Sequence, residues 1–208
     1  MIGLMLGAPS GGKGTQSDSL DRLGYRKVSS GDLLRRFCAE NEGTETSRQI
    51  ADLMREGELV PDDLMKLVLA DTLNGLGDQK VILDGFPRTV PQAEMLKEVA
   101  PPDWVIFIDV PKEEAKRRAA GRLTCPQCST AFGTDVPPKL EGICDHCGAE
   151  LERRPDDKEE ATFNRRWKEF EEKTLPVVDF YRDDDRFHQV DGTPTRAEIG
   201  IAIRALIT

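Results

Sequence analysis

The 208-residue chain lacks a surplus of positive charge, a long apolar run and any abundance of histidine. Lys and Arg number 29 against 38 Asp and Glu, a formal net charge of −9. The pI near 4.9 argues against a nucleic-acid partner, whose binders carry a basic surface. No apolar stretch approaches the ~18 residues of a membrane span. The opening MIGLMLGAPS has neither the basic start nor the long apolar segment of a signal peptide. The expectation is a cytoplasmic monomer with no membrane partner. His146 and His188 are the only histidines, and neither suggests a nucleophile–base pair. No internal repeat or low-complexity tract appears. What is present is 38% hydrophobic and 32% charged, as in a soluble globular domain. A chain of this length buries roughly 70% of its unfolded surface, so neither disulfides nor metals are needed merely to fold.

Short apolar runs alternate with helix-like stretches. Ile2–Leu6, Lys80–Leu83, Trp104–Ile108 and Phe187–Val190 read as brief buried strands, with Tyr25–Val28 a weaker one. Helices are expected over Gly12–Leu23, over Asp62–Leu73 after Pro61, after an N-capping Thr89, after Pro111, over Lys158–Thr174 and over Arg196–Leu206. Strands separated by helices imply parallel βαβ units, an α/β fold. Residues 30–60 and 123–155 break the alternation and read as insertions on one α/β core.

Gly7-Ala8-Pro9-Ser10-Gly11-Gly12-Lys13-Gly14-Thr15 follows the first strand and precedes a helix. It matches the phosphate-loop pattern G-x-x-x-x-G-K in the required context. Backbone N–H groups and the positive helix end cradle phosphates, and the lysine supplies a mobile charge. The position after Lys13 is Gly14 rather than Ser or Thr. A direct hydroxyl–Mg²⁺ bond is therefore not expected, and carboxylates holding the ion through water suit its reluctance to dehydrate.

Cys125-x2-Cys128-x15-Cys144-x2-Cys147 has the spacing of a four-thiolate zinc site. An iron–sulfur site or two reducible thiol pairs are alternatives that the spacing favours less. Four sulfur ligands leave no open position, so the ion would be structural. The surrounding segment holds few large apolar groups, and the metal would stand in for a core. Cys38 is alone on a helix pattern.

GAPSGGKGTQ, SSGDLLR (Ser29–Arg35), LDGFPRTVPQA (Leu83–Ala93), Gly121-Arg122, RPDD (Arg154–Asp157), Arg165 and VDGT (Val190–Thr193) occur in this order. Together they resemble the adenylate kinase family over nearly the whole chain. The resemblance implies a P-loop NTPase-like five-stranded parallel sheet flanked by helices, with a helical monophosphate-binding insert and a zinc-ribbon-like lid. The core would comprise residues 1–29, 61–121 and 156–208, the AMP-binding insert 30–60 and the lid 122–155. The implied reaction is ATP + AMP = 2 ADP with Mg²⁺, which maintains adenine nucleotide balance.

By the same resemblance, Lys13, Arg88, Arg122, Arg154 and Arg165 stabilise the transferred phosphoryl group. ATP would meet Gly7, Ser10, Gly11, Gly12, Lys13, Gly14, Thr15, Arg118, Arg122 and the backbone near Pro194. AMP would meet Ser30, Arg35, the Val60 backbone, Gly85, Arg88, Gln92, Arg154 and Arg165. Asp32 and Asp84 would anchor waters around Mg²⁺, and Asp156 and Asp157 would brace lid arginines. Gln92 offers both donor and acceptor to an adenine edge; otherwise it is a surface residue of a first helical turn. Arg117, Arg153 and Arg166 read as surface neighbours. Phosphoryl transfer needs positioning and charge neutralisation rather than a base, and bidentate arginines suit it better than lysines. Two other readings remain at this point. One is a kinase with another acceptor or with GTP as donor. The other is a zinc-ribbon binding protein with a nucleotide switch.

Overall fold

The computed structural model describes residues 1–56, 60–76, 79–128, 130–153 and 160–207, the side chains at 32, 55, 56 and 70–76 excepted. Five strands form one sheet: β1 (Ile2–Gly7), β2 (Tyr25–Ser29), β3 (Lys80–Asp84), β4 (Trp104–Asp109) and, after a small lid sheet of β5 (Leu123–Thr124) and β6 (Ala131–Phe132), β7 (Phe187–Asp191). The order is β2-β3-β1-β4-β7, and every neighbouring pair runs parallel. The central strands are covered on both faces, so IGLML and WVIFI are continuous apolar runs rather than alternating ones. Gly3 makes the packing possible. A Cβ there would stand 1.9 Å from the Trp104 ring, which instead lies over β1 and donates through Nε1 to Tyr25 Oη at 3.0 Å.

Nine helices are described. They are α1 (Lys13–Ser19), α2 (Ser30–Glu40), α3 (Glu45–Glu56), α4 (Asp62–Leu76), α5 (Val90–Val99), α6 (Lys112–Gly121), α7 (Glu160–Glu169), α8 (Leu175–Tyr181) and α9 (Arg196–Ile207). Thr89 caps α5 as expected, its hydroxyl accepting from Gln92 N at 3.3 Å. Two helices differ from expectation. The first ends at Ser19, and a 3₁₀ turn over Asp21–Leu23 closes on Gly24 in the left-handed region at φ 79°. The polar helix after the lid does not stop at Thr174. A π-helical turn over Phe170–Thr174 leads straight into α8. Pro176 hides this continuation in the sequence, yet it sits in the first turn of α8, where a missing N–H costs little.

Residues 123–152 have their own small framework. β5 and β6 pair antiparallel, further bridges join Thr124 to Glu152 and Ile143 to Glu150, and Cys125, Phe132 and Cys144 form a core separate from the main one.

Candidate active site and metal centre

The carboxyl ends of β1, β2 and β3 open into a cleft of about 480 Å³, the edge where parallel α/β sheets hold ligands. Residues of the phosphate loop form its floor. Gly7 (φ 153°) and Gly12 (φ 92°) take conformations that favour glycine, and even Ser10 is left-handed at φ 59°. A Cβ on Gly7 would stand 2.8 Å from the Ile108 carbonyl oxygen. Lys13 Nζ folds back over the loop and donates to Gly7 O at 2.7 Å and Ala8 O at 2.8 Å. Burial pulls its pKa down to about 8, with Arg88, Arg166 and Arg122 pushing the same way and Asp84 opposing. Ser10 Oγ is buried without a hydrogen-bond partner among the described residues. A hydroxyl left so is unfavourable by about 1–3 kcal/mol until a ligand satisfies it.

Asp84 lines the cleft at the end of β3. A Cβ on Gly14 would stand 3.6 Å from Asp84 Oδ2 and 4.0 Å from Lys27 Nζ. Glycine at this position therefore leaves the ground beside the carboxylate open. Lys27, absent from the sequence expectations, also lines the cleft and pairs with Asp18 at 2.5 Å. Its signal was only its place near the end of β2.

Arg88 reaches in from the loop after β3. Its Nε donates to Gly85 O at 2.8 Å and its Nη2 to Ser30 Oγ at 3.4 Å. Burial holds its pKa below the ordinary guanidinium value, helped by Arg166 and opposed by Asp84 and Glu169. Arg118, Arg122 and Pro194 line the cleft, as do Gly11, Thr15, Ser30 and Gly85. Arg118 is oriented by Glu114 at 2.7 Å and by Asp135, from the segment after β6, at 3.5 Å. Neither histidine is among the lining residues.

Several of the expected site residues stand apart from the lining of this cleft. Arg165 is exposed and does not line the cleft, whereas Arg166, read as a surface neighbour, is half-buried and does. The helical phase explains this. Phe163, Trp167 and Phe170 define the inward face of α7 and the π turn. At 3.6 residues per turn Arg166 lies beside that face and Arg165 opposite it. Arg35 is also outside the lining; its guanidinium folds back along α2, with Nη1 3.2 Å from a Cβ placed on Gly31. The Val60 side chain is buried, and the contact expected of this residue is through its backbone. Gln92 is neither exposed nor in the lining: it is 6% exposed, its Oε1 accepts from Arg88 N at 2.8 Å and its Nε2 donates to Asp62 Oδ1 at 2.6 Å. Arg154, Asp156, Asp157 and the side chain of Asp32 lie outside the described residues.

The four lid cysteines converge. Their sulfurs all lie within 4.8 Å of one another. Three pairs stand at 3.4, 3.5 and 3.7 Å. Tetrahedral thiolates at about 2.3 Å from a central ion are about 3.8 Å apart, so this set fits one four-coordinate metal. Each knuckle is set by its backbone. Cys128 N donates to Cys125 Sγ at 3.5 Å, and Gly148 N donates to Cys144 O at 2.9 Å with Gly148 left-handed at φ 73°.

A phosphate loop between strand and helix, facing a set of arginines on a parallel sheet with a separate cysteine-bearing lid, defines a P-loop nucleotide phosphotransferase. A family model described as Adenylate kinase matches residues 5–186. An adenylate kinase of Archaeoglobus fulgidus is 39% identical over 212 residues, 98% of this chain and 96% of that protein. One of Mesoplasma florum is 41% identical over 203 residues, 94% of each. One of Carboxydothermus hydrogenoformans is 37% identical over 209 residues, 97% of this chain and 96% of that protein. The chain belongs to the adenylate kinase family. This decides for a phosphotransferase over a nucleotide-switch binding protein.

Proposed function

We propose that the cleft is the seat of the family's reaction, ATP + AMP = 2 ADP, with the phosphate loop holding ATP and the Ser30, Gly85 and Arg88 side holding AMP. The observation that carries this is the convergence of Lys13, Arg88, Arg118, Arg122 and Arg166 on one cleft beside Asp84. An AMP phosphate oxygen attacks the γ-phosphorus of ATP in line, and the bond to the β–γ bridging oxygen breaks, leaving ADP. The attacking oxygen is already anionic, so no base is needed. Lys13 leaves its loop carbonyls for the β- and γ-phosphates, and Ser10 Oγ gains the partner it lacks. Arg88 bridges acceptor and transferred group. Arg122 closes over them from the lid side, and Arg166 takes the part that the sequence suggested for Arg165. Arg118 lies under the donor base, Pro194 backbone beside its amino group.

Asp84, with Asp32, would hold Mg²⁺ through water in the space that Gly14 leaves clear. The ion's contribution is to neutralise charge on the β- and γ-phosphates. Cys125, Cys128, Cys144 and Cys147 hold one Zn²⁺, whose role is structural because four sulfurs leave no open position. Residues 30–60 form the AMP-binding insert and 122–155 the lid that excludes water on closing. The cytoplasmic, monomeric state expected from the sequence completes the proposal.

The test is a coupled assay crossing ATP and GTP with AMP, GMP, CMP and UMP. Turnover should be highest for ATP with AMP and should require Mg²⁺. Equal or greater turnover with another acceptor would reassign the enzyme within the nucleoside monophosphate kinases.

A further inference from the structure

Gln92 carries an ambiguity that matters for base selection. A primary amide has two donor hydrogens on nitrogen and two lone pairs on oxygen, and it can rotate by half a turn with almost no change of shape. In one orientation it complements adenine, whose 6-amino group donates and whose adjacent ring nitrogen accepts. Flipped, it complements hypoxanthine or guanine, whose 6-oxo group accepts and whose adjacent N1–H donates. A free glutamine would serve both kinds of purine.

This glutamine is not free. Its Oε1 faces the Arg88 backbone N–H at 2.8 Å, a group that can only donate. Its Nε2 faces Asp62 Oδ1 at 2.6 Å, a carboxylate that can only accept. Flipping the amide would set N–H against N–H on one side and oxygen against carboxylate on the other, inside a side chain only 6% exposed. Asp62 is itself held: both of its oxygens stand 3.3 Å from Thr89 Oγ1, the hydroxyl that caps α5. Asp62 opens α4, so the chain Thr89–Asp62–Gln92–Arg88 ties the start of α4 and the start of α5 to the cleft-lining arginine. Each partner uses one valence of the amide. One hydrogen on Nε2 and one lone pair on Oε1 remain, which is the pair a base edge requires.

We propose that Asp62 is a positioning residue that locks the Gln92 amide in one orientation, and thereby makes the acceptor site select a 6-amino purine over a 6-oxo purine. The inference rests on the reading of Gln92 as a contact of the acceptor base. Asp62 touches neither reacting phosphate. It acts by denying the flipped amide an acceptable partner. A site that leaves a buried polar group mismatched rejects the wrong substrate far more strongly than one that merely loses a contact.

The experiment measures kcat/KM for AMP and for inosine 5′-monophosphate at saturating ATP and Mg²⁺. Inosine monophosphate carries the 6-oxo edge without the 2-amino group of GMP, so size is not confounded with orientation. Asp62→Asn offers Gln92 either a donor or an acceptor and should lower the AMP-to-IMP ratio on the order of tenfold or more, with KM for ATP as the control. Asp62→Glu keeps an acceptor-only partner and should keep the preference for AMP. Should the Asn variant not fold, Asp62→Ser, which also donates or accepts, takes its place. Gln92→Ala tests the underlying reading and should lower the ratio as well. A lowered ratio in Gln92→Ala with an unchanged ratio in Asp62→Asn overturns the orienting role alone. An unchanged ratio in Gln92→Ala removes the base contact itself, and the proposal with it.

Discussion

Lys13 shows how a residue readable in a motif acquires its chemistry from burial. Burial disfavours its ammonium and three arginines add repulsion, which pulls its pKa down to about 8. Its folded pKa lies below the unfolded value, so burying the charge opposes folding at neutral pH. That opposition fades as pH rises from about 8 toward 10.5. ATP phosphates reverse the balance and favour the charged form. Binding of Mg-ATP at pH 8 should therefore take up about half a proton, measurable by titration calorimetry in buffers of different ionisation enthalpy. Lys13→Met should abolish most of that uptake. Arg166 and Arg165 provide a paired prediction. Arg166→Ala should lower kcat by about 10²–10³, as removal of a charge-stabilising donor does. Arg165→Ala should stay within about threefold of wild type. Steady-state kinetics of the two variants at saturating ATP check this. The loop motif was legible because its residues are contiguous. The choice between two adjacent arginines was not, because it depends on the rotational phase of α7, which Phe163, Trp167 and Phe170 set by packing.

At the scale of elements, the lid is the part whose stability comes from outside the hydrophobic core. Its own buried cluster contains Phe132 and two of the four cysteines. A tetrathiolate zinc in such a segment contributes on the order of 10 kcal/mol of apparent binding energy. Replacing Cys144 and Cys147 together by Ser should remove the metal and lower the lid's melting temperature by on the order of 10 °C. Measurable kinase turnover should remain at low temperature, since no sulfur takes part in the transfer. Elemental analysis and calorimetry of wild type and variant make the comparison. Loss of all low-temperature turnover with an unchanged melting point would make the metal catalytic. The cysteine spacing announces this element directly. The π turn and α8 stay hidden, because Leu175-Pro176 reads as a stop unless Val177, Val178 and Tyr181 are seen buried against the core.

For the whole molecule, the edge of the sheet depends on one corner. Asp184 accepts from Arg186 Nε at 2.7 Å and Nη2 at 2.6 Å, while Arg186 Nη1 donates to Pro102 O at 2.8 Å. This corner links the entry of β7 to the entry of β4. The arginine holds the Asp184 carboxyl at about 2, below its ordinary 3.8. A carboxyl depressed in the folded state stabilises above its unfolded pKa, and that stability is lost as pH falls through the folded value. Asp184→Asn should lower the melting temperature by about 3 °C at pH 7. The difference between variant and wild type should shrink as pH approaches about 2. Thermal melts across that range test the corner.

The parallel sheet, the phosphate loop and the cysteine site were determined by the sequence itself, because each is a local pattern. Buried strands need unbroken apolar runs, phosphate cradles need glycines at fixed steps, and a metal knuckle needs two cysteines three apart. What only the tertiary structure decided are the relations between distant segments. Gln92 is buried because Asp62 and Arg88 meet its amide. Arg166 rather than Arg165 lines the cleft because a helix packs with one face inward. Lys27 joins the cleft because β2 lies beside β3. Such relations arise from the packing of whole elements against one another, which no local pattern along the chain records.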